Sequence, residues 1–253
     1  MSQVPAATRT LRVLSFLARQ PDPVPLERIM RACELPRSTA YHLLRVMVDE
    51  GFVVHLVDEG RYGLGPAAHE VGGGYARQAP LARIARRLLA DLSDESGQNA
   101  HLAVLHGRDV LYLVEERAPG RPSLVTDVGV RLPAHLTATG RAVLAALPAA
   151  QVRALYPDRE SFALRHDTGP SSPSALRAVL AETRQRGHAT EDGDVTPGFA
   201  SVAAAVVDHT GHPVAGVAVT VEVREARPEP YADAVRRTAA LLTRRLGGHP
   251  ATR

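Results

Sequence analysis

The stretch PRSTAYHLLRVMVDEGF, residues 36–52, has the pattern of a short helix with two unlike faces. Proline is well tolerated in a first helical turn, and glycine readily adopts the positive φ that follows a helix, so Pro36 and Gly51 mark its ends. An apolar stripe of helical width consists of Ala40, Leu43, Leu44, Met47 and Val48. The opposite side carries the polar residues Arg37, Ser38, Tyr41, His42 and Arg45. The apolar stripe predicts burial in a core, and the polar side is either a solvated surface or a binding face.

The neighbouring segments predict a winged helix-turn-helix around this stretch. Residues 8–20 place leucines at helical spacing, and residues 26–33 form a second short apolar helix after the helix-breaking PDPVP. After Gly51 the period changes, and FVVHLV (52–57) and RYGLG (61–65) flank the turn-like DEG, which predicts a β-hairpin. Three helices followed by a hairpin is the order of a winged helix-turn-helix, which we assign to residues 1–65.

In that arrangement the third helix is the element that reads DNA. A recognition helix contacts base edges in the major groove with its N-terminal turns, where the polar residues cluster in this chain. Arginine suits guanine, hydroxyl groups suit phosphate or a base edge, and an arginine on the hairpin suits the DNA backbone or the minor groove. The predicted DNA-binding residues are Arg37, Ser38, Thr39, Tyr41, His42, Arg45 and Arg61. The alternative is a winged helix that binds a protein partner through the same face.

The remainder of the chain predicts a connecting helix and an α+β domain. Residues 66–79 form the connecting helix, in which three consecutive glycines at 72–74 predict a kink, a break or a close helix contact. From residue 80, amphipathic helices and apolar strand-like runs follow one another without a regular βαβ repeat, which predicts an antiparallel sheet flanked by helices. This domain extends over residues 80–247 and closes with a helix over residues 226–246. Residues 248–253 are predicted to be a disordered tail.

Composition excludes several classes of protein. The chain has 253 residues, a net charge of +3 and no lysine, so its total charge does not by itself require nucleic acid. Cys33 is the only cysteine and lies in an apolar helix, which predicts a buried residue and excludes a disulfide framework or a cysteine-based zinc site. No segment has the pattern of a signal peptide or a membrane span, so a cytoplasmic protein is expected.

No motif in the chain predicts catalysis. A triad of His135, Ser201 and either Asp192 or Asp194 is conceivable, but no serine lies in a Gly-x-Ser-x-Gly turn. The HExxH pattern is absent, the histidines are scattered, and no glycine-rich phosphate or dinucleotide motif is complete. We predict no catalytic residue, no metal and no cofactor, with a hydrolase as the alternative.

Three longer stretches are informative together. They are LPRSTAYHLLRVMVDEGFV with RYGLGP, then VGVRLPAHLTATGRAVLAALP (128–148), then RGHATEDGDVTPGFASVAAAVVDHTGHPVAGVAV (186–219). In this order, and over nearly the whole chain, they resemble the IclR family of bacterial transcription regulators. The resemblance implies a winged helix-turn-helix, a linker helix and a GAF-like effector-binding domain. It also implies a homodimer or a dimer of dimers that binds operator DNA and a small metabolite, frequently an organic or aromatic acid.

By position, the resemblance places the effector pocket at Ala138, Thr139, Glu191, Asp192, Ser201, Ala218 and Thr220. Residues 137–140 would offer backbone amides and hydroxyls at a helix start, which suits a carboxylate. The chain differs from the family pattern at Ser201, where many members have cysteine, at Ala218, where some acid-binding members have serine, and at Ala205, where proline is common. Because the last strand then carries few polar groups, a larger or less polar effector than a small keto acid is expected. The expected mechanism is a population shift, in which the effector favours one placement of the DNA-binding heads.

Overall fold

The computed structural model describes residues 4–78, 80–163, 165–166, 168–224 and 227–249. The chain divides into two compact units, Met1–Ala79 and Pro80–Arg253. Each unit buries apolar side chains of its own. The predicted connecting helix belongs to the N-terminal unit.

The N-terminal unit contains, in chain order, α1 (Pro5–Leu17), β1 (Val24–Pro25), α2 (Leu26–Cys33), α3 (Arg37–Asp49), β2 (Val53–Leu56), β3 (Arg61–Leu64) and α4 (Pro66–Gln78). The predicted helices and the hairpin between β2 and β3 are present. α1 begins three residues before the predicted start, because Pro5 occupies its first turn, where proline is favoured. β1 is a strand that the sequence did not predict. It pairs with β3 at the edge of the small sheet, the position in which a strand tolerates proline.

The apolar stripe of α3 is buried, as the sequence predicted. Ala40, Leu44 and Met47 belong to one apolar cluster with Val13 of α1 and Ile29 of α2. Burial of a large apolar side chain contributes about 1.5–3 kcal/mol, so this cluster fixes the orientation of α3. The opposite side of α3 is therefore turned to solvent.

Two of the helices of this unit, α2 and α3, are followed by a residue with a positive φ. Glu34 follows α2 with a φ of 54°, and Gly51 follows α3 with a φ of 73°. A left-handed conformation costs a non-glycine residue about 1–2 kcal/mol, so the turn at Glu34 is held by the packing of the flanking helices. The predicted end of the third helix at Gly51 is confirmed. Cys33, at the end of α2, is buried as predicted.

α4 continues through the three glycines at residues 72–74. Of the three alternatives expected there, a kink, a break or a close helix contact, the break is therefore excluded. Glycine lowers the stability of a helix by about 1 kcal/mol relative to alanine, yet it supplies the same backbone donors and acceptors, so the hydrogen-bonded ladder is not interrupted.

The C-terminal unit contains α5 (Pro80–Ser96), β4 (Asn99–His106), β5 (Asp109–Glu116), β6 (Arg131–Pro133), α6 (Ala138–Ala146), α7 (Ala149–Leu155), α8 (Pro173–Arg186), β7 (Ala189–Asp192), β8 (Phe199–Val207), β9 (Pro213–Glu222) and α9 (Ala232–Arg245). The strands of the described residues form one antiparallel sheet in the order β6-β5-β4-β9-β8-β7. This is the predicted α+β architecture. The hairpins β4–β5 and β8–β9 follow the predicted apolar runs, whereas the short edge strands β6 and β7 are too brief to show a period.

The start of α6 lies very close to the backbone beneath it. A Cβ atom on Gly140 would lie 2.2 Å from the carbonyl oxygen of Ala134, and a Cβ on Gly216 of β9 would lie 2.6 Å from the carbonyl oxygen of Thr139. Only glycine permits such an approach. The N-terminus of α6 is therefore held against β9, where it forms one wall of a cavity.

α9 begins at Ala232 rather than at the predicted residue 226. A short 3-10 turn, Glu229–Tyr231, precedes it, because the prolines of this segment do not continue a helix. Residue 226 and residues 250–253 of the predicted tail lie outside the described residues. At the start of that tail, the Gly248 N–H donates to the Thr243 carbonyl oxygen at 2.9 Å.

Candidate functional site

The polar side of α3 is exposed within the N-terminal unit. Its exposed residues are Arg37, Ser38, Tyr41, His42 and Arg45, and Thr39 is half-buried. Tyr41 exposes 46% of its surface and Val46 exposes 58%, which is high for side chains of this size and polarity. The face thus combines hydrogen-bond donors with apolar groups, the two kinds of contact that base edges offer in the major groove.

The two arginines of α3 have different surroundings. Arg37 lies over the ring of Tyr41, 5.6 Å from its centroid, and its guanidinium is 3.9 Å from the carboxylate of Glu27. An exposed ion pair of this kind contributes at most about 1 kcal/mol, so an external anion can replace it. Among the described residues, Arg45 has neither an ion-pair nor a hydrogen-bond partner. Arg45 is therefore the more available of the two arginines of α3 to an external ligand.

Arg61, the predicted hairpin contact, also has a structural role. Its Nη1 donates to the carbonyl oxygen of Pro23 at 2.9 Å, and its Nε lies 3.9 Å from the carboxylate of Glu59. The first of these contacts ties β3 to the segment that leads into β1. No local sequence pattern reveals this role, because it depends on a contact between residues far apart in the chain.

The C-terminal unit contains a small cavity between the start of α6 and the sheet. Its volume is about 20 Å³, enough for roughly one water molecule. Its walls come from the sheet, from α6 and from two loops, residues 117–130 and 193–198. The lining residues are His101, Tyr112, Leu124, Val125, Thr126, Thr137, Ala138, Thr139, Glu191, Val195, Thr196, Phe199, Ser201, Ala218 and Thr220. A ligand larger than water must displace loop residues from the sheet.

The structure brings most of the predicted pocket residues together. Those that line the cavity are Ala138, Thr139, Glu191, Ser201, Ala218 and Thr220. Asp192 does not line it: its side chain is 68% exposed and lies 3.9 Å from the guanidinium of Arg227. Successive residues of a strand point to opposite faces, so β7 can direct only one of its two acidic residues inward. That residue is Glu191.

Three of these residues form a row across neighbouring strands. Ser201 of β8 pairs in register with Glu191 of β7 and with Thr220 of β9. The Ser201 hydroxyl donates to Glu191 Oε1 at 2.7 Å, and the hydroxyls of Ser201 and Thr220 are 2.9 Å apart. Because the Ser201 hydroxyl donates its hydrogen bond to the carboxylate, the Thr220 hydroxyl is the donor to Ser201. The row therefore holds one carboxylate oxygen and leaves the other toward the cavity.

The Glu191 carboxyl is placed in an unusual electrostatic environment. Burial raises its pKa to about 7, and the hydrogen bond from Ser201 and the nearby charge of Arg141 oppose that rise only in part. Among the described residues, Glu191 Oε2 is buried and has no hydrogen-bond partner. The cavity therefore contains a carboxyl group that changes its charge near neutral pH.

His101 is the principal lining residue that sequence reasoning missed. It lies on β4 opposite Ala218, and its Nδ1 is 3.4 Å from the hydroxyl of Thr126. Burial lowers its pKa to about 3, so its ring is neutral, and its buried Nε2 has no partner among the described residues. The sequence does offer one indication of this role, because His101 is a polar residue at the start of the apolar run HLAVLHG. Tyr112, also missed, places its hydroxyl 3.4 Å from the hydroxyl of Thr139.

Together these residues make the cavity more polar than the last strand alone suggests. The expectation of few polar groups considered only β9, whereas β4, β5, β7, β8 and both loops each contribute a polar side chain. Thr137 serves as the N-cap of α6, since its hydroxyl accepts the Gly140 N–H at 3.0 Å.

A buried ion pair fixes the helix and the loop next to the cavity. Arg141 of α6 pairs with Asp194 and donates to the carbonyl oxygens of His135 at 2.8 Å and Thr190 at 2.7 Å. These contacts link α6, β7 and the loop that follows β7. Because the guanidinium of Arg141 makes these hydrogen bonds within the protein, its role is structural.

The residues of the conceivable triad have separate partners. His135 Nε2 is hydrogen-bonded to the carbonyl oxygen of Ala163 at 3.0 Å, Asp194 pairs with Arg141, and Ser201 donates to Glu191.

Among the described residues, no group of three or more histidine, cysteine or acidic side chains is arranged to hold a metal ion. No helix of the described residues is long and apolar enough to cross a membrane.

Comparison with known proteins places both regions in one family. The family model of the IclR helix-turn-helix domain matches residues 6–56, and that of the bacterial transcriptional regulator IclR C-terminal domain matches residues 73–244. The chain is 34% identical to the glycerol operon regulatory protein of Streptomyces coelicolor, over 94% of this chain and 95% of that protein. It is 30% identical to the transcriptional repressor IclR of Escherichia coli, over 86% of this chain and 80% of that protein.

A solved structure shares the fold as well. The crystal structure of an IclR homolog from Microbacterium hydrocarbonoxydans, complexed with 4-hydroxybenzoate, is similar with a TM-score of 0.74 and 25% identity, covering 95% of this chain and 98% of that one. The family models together span the exposed third helix and the cavity. The chain belongs to the IclR family of bacterial transcription regulators, with a DNA-binding helix-turn-helix and a ligand-responsive C-terminal domain.

Proposed function

We propose that this regulator reads operator DNA with the N-terminal turns of α3 and that a small molecule in the cavity of the C-terminal unit changes this binding. Residues 1–65 would form the DNA-reading domain, residues 66–79 the connecting helix, and residues 80–247 the sensing domain. The observation that carries the proposal is the exposed polar surface of α3, on which Arg45 has no partner among the described residues. Guanidinium groups in this part of a recognition helix suit the O6 and N7 atoms of guanine.

The test is fluorescence polarisation with the DNA upstream of the regulator's own gene, measured over a salt series. Arg45→Ala should reduce the preference for this DNA over competitor DNA by roughly 5- to 150-fold, because a specific base contact contributes about 1–3 kcal/mol. Arg159→Ala, an exposed arginine of the C-terminal unit, is the matched control and should leave the preference unchanged. Equal, sequence-blind binding by all three proteins would contradict the proposal and favour a protein partner for α3.

Binding of the small molecule is coupled to the loops that close the cavity. A volume of about 20 Å³ does not accommodate a metabolite, so entry must move the loop residues 124–126 and 195–196 from their present positions. A ligand that binds one arrangement of these loops shifts the population toward that arrangement. This supports a role for the cavity in switching rather than in passive binding.

The proposal also covers how the protein assembles, whether it represses or activates, and where in the cell it acts. We expect a homodimer or a dimer of dimers, since paired half-sites supply the specificity that one helix lacks. The relative from Escherichia coli named above is a repressor, which supports repression as the mode of action. We also propose a cytoplasmic regulator without enzymatic activity, in line with the regulators it resembles. Sedimentation of the protein alone and with its operator measures the assembly.

A further inference from the structure

A groove between α7 and α8 is a second place in the C-terminal unit that can hold a small molecule. One face of each helix contributes to its walls, and its volume is about 160 Å³. Among the described residues, none lines both this groove and the cavity at the start of α6. The groove is therefore a separate site.

The floor of the groove is apolar. Leu176 and Leu180 of α8, and Tyr156 directly after α7, are at most 2% exposed and belong to the apolar core of this unit. Val152 of α7 is half-buried and packs against the same core. The Tyr156 hydroxyl donates to the carbonyl oxygen of Arg108 at 3.2 Å, so its polar atom already has a partner. Because an apolar cavity of about 150 Å³ binds benzene, this volume accommodates a body of about one six-membered ring.

Three arginines line the groove beside this floor, namely Arg153 of α7 and Arg177 and Arg184 of α8. Arg153 and Arg177 are exposed, and neither has an ion-pair or hydrogen-bond partner among the described residues. Arg184 donates from Nε to the carbonyl oxygen of Ala145 at 2.7 Å, which ties α8 to α6. Two guanidinium groups are thus available to an external ligand.

Nearby acidic residues do not neutralise these arginines. Among the described residues that line the groove, none is acidic. Glu182 is the one acidic residue in the sequence of α7 and α8, and it pairs with Arg186 one turn along α8. Asp158, which follows α7, accepts hydrogen bonds from the N–H and the hydroxyl of Ser161. The groove is therefore positively charged and is complementary to an anion.

We infer that this groove binds a small organic acid, with an apolar body of about one six-membered ring on the floor and its anionic group on Arg153 and Arg177. A guanidinium donates two parallel hydrogen bonds to a carboxylate, and these charge-assisted bonds are stronger than those between neutral groups. The ring covers apolar surface that water otherwise contacts. The inference goes beyond the proposed function, because it assigns a ligand site outside the cavity at the start of α6.

Three fluorinated probes separate the contributions of the floor and the arginines. 4-Fluorobenzoate has a ring and a negative charge, 4-fluorobenzamide has the ring without the charge, and fluoroacetate has the charge without the ring. Fluorine NMR measures the binding of each probe to the full chain. 4-Fluorobenzoate should bind at least about tenfold more tightly than either of the others, because it alone uses both parts of the groove.

The contrary results with these probes overturn the inference. Equal affinity for 4-fluorobenzoate and 4-fluorobenzamide would show that the arginines do not hold the ligand. Equal affinity for 4-fluorobenzoate and fluoroacetate would show that the floor does not contribute. Failure of 4-fluorobenzoate to bind would overturn the assignment of the ligand class.

A double variant, Arg153→Gln with Arg177→Gln, tests whether the probe lies in the groove. Both side chains are exposed, so the fold should be retained while the charge is removed. The variant should bind 4-fluorobenzoate at least about tenfold more weakly than the wild type. If the cavity at the start of α6 also takes up the probe, two sites in the wild type should become one in the variant.

Arg186→Gln is the matched control, because Arg186 is an exposed arginine of the same helix that pairs with Glu182 and does not line the groove. It should bind 4-fluorobenzoate as the wild type does. Unchanged binding by the double variant would place the probe outside the groove and overturn the inference.

Two further measurements on the double variant test other occupants of the groove. Sedimentation should show the same assembly as the wild type, whereas a change would indicate that a second copy of the chain covers the groove. Fluorescence polarisation should show unchanged operator binding, whereas a loss would indicate that these arginines contact DNA. Either change would overturn the inference.

Arg45→Ala keeps the two proposals distinguishable. It should bind 4-fluorobenzoate as the wild type does, because α3 belongs to the other unit of the chain. If it keeps its operator preference while the double variant loses the probe, the groove stands and DNA reading by Arg45 is wrong. If it loses its operator preference while no probe binds, DNA reading stands and the groove is wrong.

Discussion

Glu191→Gln should change how the stability of the C-terminal unit depends on pH. Burial is the largest cause of the raised pKa of Glu191, about 7 against a reference value of 4.5 for an exposed glutamate. A carboxyl with a higher pKa in the folded than in the unfolded chain binds its proton more tightly when folded. Its contribution to the free energy of unfolding is fully present below pH 4.5 and is lost as the pH rises through 7.

The size of this loss follows from the two pKa values. Since one pKa unit corresponds to about 1.4 kcal/mol, the whole contribution is roughly 3 kcal/mol, of which roughly 2.5 kcal/mol disappears between pH 5 and pH 8. Glutamine has no proton to lose, and its amide oxygen can still accept from Ser201. Relative to the wild type, the variant should therefore gain roughly 2.5 kcal/mol between these pH values.

Urea denaturation at several pH values between 5 and 8, followed by tyrosine fluorescence and circular dichroism, measures this difference. Other groups titrate in both proteins, so the difference between the wild type and the variant isolates Glu191. Glu160→Gln should run parallel to the wild type at every pH. The reasoning is refuted if the stability difference between the wild type and Glu191→Gln stays constant to within about 0.5 kcal/mol from pH 5 to pH 8.

Two further predictions concern the elements around the cavity and the connecting helix. Gly140→Ala places a Cβ atom 2.2 Å from a backbone carbonyl oxygen and should destabilise the C-terminal unit by more than about 2 kcal/mol. Gly72 is exposed on α4 with open space around it, so Gly72→Ala should stabilise the N-terminal unit by up to about 1 kcal/mol. Thermal unfolding in which both variants shift in the same direction would contradict this pair of predictions. Asp194→Asn leaves the buried Arg141 without its counter-ion and should lower the free energy of unfolding by about 3–5 kcal/mol. Asp192→Asn should lower it by less than about 1 kcal/mol, because the ion pair of Asp192 is exposed. Equal urea midpoints for the two variants would show that burial of the ion pair does not determine the loss of stability.

Local pattern accounts for the parts of the fold that were predicted. The stripe of Ala40, Leu44 and Met47 is buried in the core, and both long hairpins of the C-terminal sheet follow apolar runs in the chain. Periods of 3.6 and 2 residues are visible wherever an element is long enough to repeat them. β1, β6 and β7 consist of two to four residues and form only because a longer strand already offers them a partner. A break, one of the three alternatives expected in α4, does not occur, because a glycine weakens a helix without removing its hydrogen bonds.

The cavity shows the limit of local pattern. Family resemblance identified Glu191, Ser201 and Thr220, which lie on strands that neighbour one another in the sheet. It did not identify His101, whose place in the cavity depends on the register of β4 against β9. It also could not decide between Glu191 and Asp192, because the face of a strand is set by what packs on it.

The sequence by itself determined the order of the elements, the face that α3 buries and the family to which the chain belongs, since these depend on residues close together in the chain. Tertiary structure alone decided which polar atoms meet and how strongly they are removed from water. The raised pKa of Glu191, the neutral ring of His101 and the hydrogen-bonded row of Glu191, Ser201 and Thr220 arise from strand pairing and burial. Both effects act between residues that are distant in sequence, so no local pattern records them.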